Sequence, residues 1–261
     1  MSFTGKSVWI TGASSGIGAG LARAFAADGA HVILSGRNAD ALAAVAADCP
    51  GSRQLAFDTT DFAALPDIAA AAGPVDILVN NAGISQRSLA LDTGFDVYRT
   101  VMEVDFFAPL RLTQLVLPIM VARGSGGIVN IASVAGKIGS PLRTGYCAAK
   151  HAMVGWSDAL RAEIAQYGVA VHVVCPGFVR TNVATNAVQG DGSIRGRSDA
   201  DIEAGISPES AAATILAGIA AGTREILVGD GPEMGLVALR GSDPDRLFDT
   251  MAGFAPMVAR F

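Results

Sequence analysis

The chain has little with which to build a disulfide framework. Its three cysteines, Cys49, Cys147 and Cys175, are odd in number and scattered, which suits a reducing cytoplasm. His31, His151 and His172 show no metal-ligand spacing with one another or with the cysteines, so no metal site is expected. Charge is sparse too: Asp, Glu, Lys and Arg are 16% of 261 residues, with a formal net charge of −5. No basic run occurs, which argues against a nucleic-acid partner. Apolar residues reach 51% and the mean hydropathy is +0.41. Even so, the longest charge-free apolar stretches, such as 112–122 and 210–223, are shorter than the ~18–20 residues of a spanning helix. No membrane segment is therefore expected. A cleavable leader does not fit either, because a strand pattern begins by about Lys6. Nor does any linker, repeat or low-complexity tract divide the chain, so residues 1–261 read as one domain with a sizeable core.

What is present is an alternation of strand-like and helix-like stretches from end to end. Strands are expected at 7–10, 31–35, 54–57, 76–80, 127–132, 169–175 and 225–228. Their apolar content is continuous rather than alternating, as for strands buried on both faces. Helices are expected at 17–27, 39–47, 62–72, 97–122, 146–166 and 208–221. This pattern predicts a Rossmann-type, doubly wound α/β domain with a seven-stranded parallel sheet and helices on both faces. Two segments lack clean periodicity: a Gly-, Asp- and Ser-rich stretch at about 182–205 and an apolar tail at about 232–261. An irregular insertion of that length in a compact domain is usually a lid over a site or a disordered loop.

The most informative stretch is Thr11-Gly12-Ala13-Ser14-Ser15-Gly16-Ile17-Gly18, a glycine-rich turn between the first strand and the first helix. Glycines there let the backbone approach a pyrophosphate, and the free N–H groups of the helix N-terminus face its charge. Gly12 to Gly16 also matches the G-x-S-x-G turn of α/β-hydrolases. That reading requires a later acid and then a histidine on a loop; His172 lies inside a strand, and Tyr146 and Lys150 would have no purpose.

Tyr146-Cys147-Ala148-Ala149-Lys150 places a phenol and an ammonium on one face of a helix. A free tyrosine ionises near pH ~10, and a cation close by favours the phenolate. Tyr146 can then give a proton to a carbonyl oxygen or take one from an alcohol. Ser133, just past a strand, is positioned to hydrogen-bond the same oxygen, or else simply starts a turn. Cys147 reads as a small apolar helix residue rather than a redox thiol.

Taken together, Thr11–Gly18, Asn80-Asn81-Ala82-Gly83, Ser133, Tyr146/Lys150 and Pro176-Gly177 resemble, in order and spacing, the short-chain dehydrogenase/reductase family over residues from about 5 to 230. The resemblance implies that Gly12, Ser14, Ser15, Gly16, Ile17 and Gly18 hold a dinucleotide. It implies that Asp58 contacts the adenine, that Asn80, Ala82 and Gly83 line the cofactor, and that Lys150 and Tyr146 meet the nicotinamide ribose. Pro176, Gly177, Val179 and Thr181 would flank the carboxamide. Where an acid specific for NAD is expected, the chain has Gly36 followed by Arg37, a guanidinium suited to a 2′-phosphate. NADP(H) is therefore favoured over NAD(H), the alternative being that Arg37 is a solvated loop charge. The sequence departs from the family at Asp105, in Val101-Met102-Glu103-Val104-Asp105-Phe106-Phe107, where the family has asparagine. That asparagine, the fourth catalytic residue, distorts its helix so that a backbone carbonyl can serve a proton relay to the lysine. Asp lacks the amide donor and, when ionised, adds a negative charge.

Loops at 84–95, 137–144 and 182–205 are expected to set substrate choice. Residues 182–193 are similar to the branch containing member-seven-type dehydrogenase/reductases and hydroxysteroid dehydrogenases, which implies a lipophilic ketone or hydroxy compound. Arg87, Arg143, Arg195 and Arg197 lie in these loops and either select an anionic substrate or are solvated charges. Long apolar helices at 97–122 and 146–166 suggest a homodimer or homotetramer. The tail, through Leu247, Phe248 and Phe254 to Phe261, covers a neighbouring subunit or the site mouth, or is a disordered terminus. The reading is an NADP(H)-dependent carbonyl/alcohol oxidoreductase using Ser133, Tyr146, Lys150 and Asp105. The alternative is a dinucleotide-binding regulator whose relay is impaired at Asp105.

Overall fold

A computed structural model describes residues 2–255. Seven strands form one all-parallel sheet in the order β3-β2-β1-β4-β5-β6-β7. They are β1 (Ser7–Thr11), β2 (His31–Gly36), β3 (Arg53–Ala56), β4 (Ile77–Asn80), β5 (Gly126–Ile131), β6 (Val169–Pro176) and β7 (Glu225–Val228). The chain winds outward from β1 to β3, then crosses back so that β4 pairs with the other side of β1, Val8 opposite Ile77. That reversal opens a crevice at the strand C-termini, where ligands bind in such sheets.

Both faces of the central strands are buried, which explains their nearly continuous apolar content, whereas the edge strands differ: β3 is largely exposed and β7 alternates exposed with buried residues. Successive residues of β1 serve opposite cores. Val8 and Ile10 pack with Leu21, Phe25 and Ile215, under α1 (Gly16–Ala27) and α8 (Pro208–Ala220). Trp9 packs with Leu65, Leu112 and Met120, under α3 (Leu65–Ala72) and α5 (Ala108–Arg123). The fully buried Trp9 indole N–H donates to Ser35 Oγ at 2.9 Å, so burying it strands no donor.

Several expectations need correction. The third helix begins at Leu65 rather than 62, because Pro66 suits the first turn of a helix and Phe62 sits in the preceding turn. The helix expected at 97–122 is α4 (Phe95–Met102), one π-helical turn (Glu103–Phe107), then α5. The run Phe95–Arg123, 29 residues, is long and apolar enough to cross a bilayer by length and composition. A charge-free criterion overlooked it because isolated charges such as Asp105 and Arg111 interrupt it. Here its inner face, from Val97 through Leu112 to Met120, is buried in the core. The segment 182–205 is mostly irregular but packed down, with Ala184, Ala187 and Ile202 buried and one short helix, α7 (Ala200–Ala204). The tail forms α9 (Pro232–Ser242) and α10 (Pro244–Ala252), with Leu247 buried and Phe248 and Phe254 exposed. Phe261 lies outside the described residues. The remaining helices are α2 (Ala39–Ala47) and α6 (Thr144–Glu163).

Candidate active site

A cavity of about 690 Å³ occupies the crevice at the strand C-termini. Its floor is the turn after β1. Gly12 has φ +64°, and a Cβ there would lie 2.8 Å from Ala82 Cα, so only glycine lets the turn close on the segment after β4. Asn81 Nδ2 locks the two together by donating to the carbonyls of Thr11 (2.9 Å) and Gly12 (3.2 Å). Thr11 Oγ1 accepts from the N–H groups of Asn81 and Ala82. At the start of α1, Ser15 makes no side-chain cap and the first turn holds no acid. The first N–H groups and the positive end of that helix are therefore left for an anion at the cavity wall. These features fit a dinucleotide pyrophosphate.

The cavity lining includes Gly12, Ser14, Ser15, Gly16, Ile17, Arg37, Asp58, Ala82 and Gly83 of the expected cofactor contacts, and Pro176, Gly177, Val179 and Thr181 opposite them. Ser133, Tyr146 and Lys150 line the same space. Gly18 and Asn80 do not. Gly18 is buried, and a Cβ there would strike the Gly12 carbonyl, so it serves close packing of helix on strand. Asn80 is 2% exposed and donates to Asn130 Oδ1 (2.8 Å) and Thr113 Oγ1 (3.0 Å). The amide nitrogen is spent tying β4 to β5 and α5, while Asn80 Oδ1 has no hydrogen-bond partner among the described residues. Arg37 Nη1 lies 3.9 Å from Asp58 Oδ2, a largely exposed pair. The Thr60 amide and hydroxyl hold the Asp58 carboxyl below the usual range.

The expected chemical groups come together through local structure. Ser133 lies two residues past the end of β5, accepts from Ala135 N–H at 3.1 Å, and starts the short 3-10 turn Val134–Gly136. A Cβ at Gly136 would lie 2.6 Å from the Lys150 carbonyl, so this turn packs directly on α6. Lys150, four residues after Tyr146, is buried; its Nζ lies 5.6 Å from the Tyr146 ring centroid and donates to the Ile131 carbonyl at 3.1 Å.

Asp105 is 1% exposed and does not line the cavity, so it can reach a substrate only through Lys150. Its Oδ2 is 3.2 Å from Lys150 Nζ, and its Oδ1 accepts from Ile84 N–H at 2.8 Å. The helix distortion implied by the resemblance is present: the Ala108 N–H reaches back five residues to the Glu103 carbonyl. Burial raises the Asp105 carboxyl above the usual range despite the neighbouring ammonium. For Lys150 burial works downward, but the carboxylate and Tyr146 outweigh it and hold the ammonium above its ordinary value. Gly83 packs closely on this pair: a Cβ there would lie 3.3 Å from Asp105 Oδ1 and 3.4 Å from Lys150 Nζ, a tight fit that one of them would have to ease.

Three supporting residues escaped sequence reasoning. Gln86, 1% exposed, accepts from Gly145 N–H at 2.9 Å and so fixes the start of α6 beside Tyr146. Glu233 of α9 is 5% exposed, and its Oε1 accepts from Phe178 N–H at 2.9 Å. A side chain at Gly177 would strike that oxygen, so Glu233 braces the 176–179 segment from behind. Asp199 gathers Arg87, Arg143 and Arg195. None of the three has a spacing rule; only the glycines at 229 and 231, just ahead of Glu233, hinted at close packing. The three thiols are free and buried, and burial pushes Cys147 up and Cys175 up to about 12, which makes them inert.

Comparisons with known proteins agree with this geometry. The family model described as short chain dehydrogenase matches residues 6–192. The chain is 40% identical over 262 residues to the dehydrogenase/reductase SDR family member 7B of Bos taurus, covering 95% of this chain and 81% of that protein. Against the Danio rerio protein of the same name it is 42% identical over 265 residues, covering 96% and 85%. Among solved structures, a short chain dehydrogenase/reductase from Burkholderia phymatum in complex with NAD superimposes with a TM-score of 0.83 at 26% identity, covering 94% of this chain and 96% of that one. A short chain dehydrogenase from Burkholderia cenocepacia J2315 in complex with NADP gives 0.82 at 25% identity, covering 96% and 99%. With the glycine turn, the serine, the tyrosine–lysine pair and the sheet order in place, the chain belongs to the short-chain dehydrogenase/reductase family, a family of oxidoreductases.

Proposed function

We propose that this chain is an NADP(H)-dependent reductase of a lipophilic ketone, or dehydrogenase of the matching alcohol. The observation that carries the reading is that Ser133, Tyr146 and Lys150 share one cavity with the glycine turn. A bound nicotinamide supplies or accepts the hydride at the carbonyl carbon. Ser133 Oγ orients the substrate oxygen, and Tyr146 gives it a proton on reduction or takes one on oxidation. Lys150, as the ammonium, favours negative charge on the Tyr146 oxygen and binds the ribose. Val104, Val134, Val188, Ile194 and Ile202 line the substrate end and suit an apolar body. NADP(H) is favoured because Gly36 removes the repelling acid: a Cβ there would lie 3.4 Å from Ser14 Oγ, which together with Arg37 can receive a 2′-phosphate.

The test is reduction of a ketone panel with NADPH by wild type and Tyr146→Phe. The variant is expected to lose roughly 10²–10⁴-fold in kcat while binding NADPH with little change in fluorescence titration. Wild-type turnover in the variant overturns the reading. A second reading, a dinucleotide-binding regulator, is favoured by the Asp105 carboxylate 3.2 Å from Lys150 Nζ; it predicts cofactor binding without turnover on any carbonyl. We further propose a cytoplasmic homodimer or homotetramer; the exposed apolar Phe107 and Ile119 of the 107–123 helical run support the self-association. Light scattering of the purified chain checks this.

A further inference from the structure

Arg87, Arg143 and Arg195 come from three separate loops and close on one carboxylate. Nη2 of Arg87 lies 2.9 Å and Nη2 of Arg143 3.4 Å from Asp199 Oδ2, and Nη2 of Arg195 lies 2.7 Å from Oδ1. Three cations against one anion leave two positive charges in surplus, on arginine side chains only 12 to 22% exposed. Arg197, the fourth arginine of these loops, is exposed and takes no part in the cluster.

The cluster is also short of acceptors. Arg87 Nε, Arg143 Nε and Arg195 Nη1 are buried and have no hydrogen-bond partner among the described residues. A buried charged donor without an acceptor is costly, and a clamp that only tied the loops together would not need three of them. Burial, and then the like charge of Arg143, press Arg87 below its ordinary value, which an added anion would relieve. Arg143 lines the main cavity three residues ahead of Tyr146. The loop that carries Arg195 and Asp199 contributes Val188, Ile194 and Ile202 to the same wall.

The geometry points to an oxyanion subsite: the ketone or alcohol carries a carboxylate or phosphate that Arg143, backed by Arg87 and Arg195, holds at one end of the cavity. The substrate class rests on the oxidoreductase reading above; the anion site itself does not. The substrate is then an amphiphile, with its apolar body against Val188, Ile194 and Ile202 and its charged group on the arginines.

Two measurements test this. In the first, kcat/KM is compared for a medium-chain 3-oxo acid and its methyl ester, and for a ketone phosphate monoester and its neutral alcohol, in wild type and Arg195→Gln. Wild type is expected to prefer one anionic member by tenfold or more, and the variant to lose about tenfold of that preference, the worth of one charge-assisted hydrogen bond. A structural clamp would lower both members of a pair equally, which overturns the proposal. In the second, the melting temperature of the wild-type protein saturated with NADPH is followed against inorganic phosphate or acetate, with sodium chloride at equal ionic strength. A rise beyond the chloride control, with phosphate or acetate according to the group recognised, is expected; no rise with either overturns the subsite. If NADPH binds and no ketone turns over, the reductase reading fails and the melting measurement decides the subsite alone. If neutral ketones are reduced as well as anionic ones, the subsite fails and the reductase reading stands.

Discussion

Asp105 Oδ2 stands 3.2 Å from Lys150 Nζ, with both side chains buried. The family places an asparagine at this point, so this chain has put a carboxylate against the lysine that supports its candidate acid. The π turn of 103–107 is kept, and Asp105 Oδ1 still accepts from Ile84 N–H. The substitution therefore changes the electrostatics of the site more than its shape. A buried pair of this kind is a poor source of net stability, because both charges lose their water, yet removing one partner alone is expensive.

Asp105→Asn follows directly. The carboxylate is what keeps the Lys150 ammonium above its ordinary value against the opposing effect of burial. Without it burial wins, Lys150 sheds its proton at a lower pH, and the alkaline limb of the reduction rate moves to lower pH. Stability has the same sign. A lysine whose folded pKa is raised contributes stability that is fully present below its unfolded value and is lost as pH rises through the folded one. The variant is therefore expected to be less stable at neutral pH by about 3 kcal/mol, with the gap closing at high pH. A pH–rate profile and chemical denaturation read the two effects; an alkaline limb that does not move rejects the first.

Gly12→Ala tests the floor of the cavity. The positive φ and the 2.8 Å approach to Ala82 Cα leave no room for a methyl group. Strain of about 1–3 kcal/mol is expected, together with a loss of cofactor affinity, because the turn and the segment after β4 must separate. Isothermal titration with NADPH, and the melting temperature of the free protein, measure both.

Glu233 lies behind the 176–179 segment of the cavity wall, and its Oε1 accepts from Phe178 N–H at 2.9 Å. Glu233→Leu leaves that N–H without its acceptor, worth about 1–3 kcal/mol. The expected result is a raised KM for cofactor with a smaller change in kcat. Glu233→Gln keeps a carbonyl oxygen for the same bond and should restore most of the affinity. Equal defects in the two variants would show that charge rather than the hydrogen bond matters there.

Arg37→Asp tests the cofactor assignment. Arg37 lines the cavity and is largely exposed, its pairing with Asp58 a loose 3.9 Å contact. Exchanging the guanidinium for a carboxylate should weaken NADPH by roughly 10–100-fold, the range of one charged hydrogen bond, and turn the preference toward NADH. Steady-state kinetics with both cofactors report the ratio, and an unchanged preference rejects the NADP(H) assignment.

Much of this protein was written in local signals. Apolar runs at 8–10 and 77–79 mark strands buried on both faces, because each residue of a buried strand meets one core or the other. The glycine turn, Ser133, and Tyr146 with Lys150 were legible because their chemistry depends on spacing along one turn or one helix face. The sequence by itself thus determined the α/β alternation and the residue types at the chemical centre. Only the tertiary structure decided how distant residues meet. It put Asp105 against Lys150 across 45 positions, spent Asn80 inside the sheet instead of on the cavity, and brought Glu233 behind Phe178. It also gathered onto Asp199 three arginines that along the chain read either as solvated loop charges or as contacts for an anionic substrate. Such pairings depend on how loops from different crossovers converge at the strand ends, a relation that no period or motif along the chain encodes.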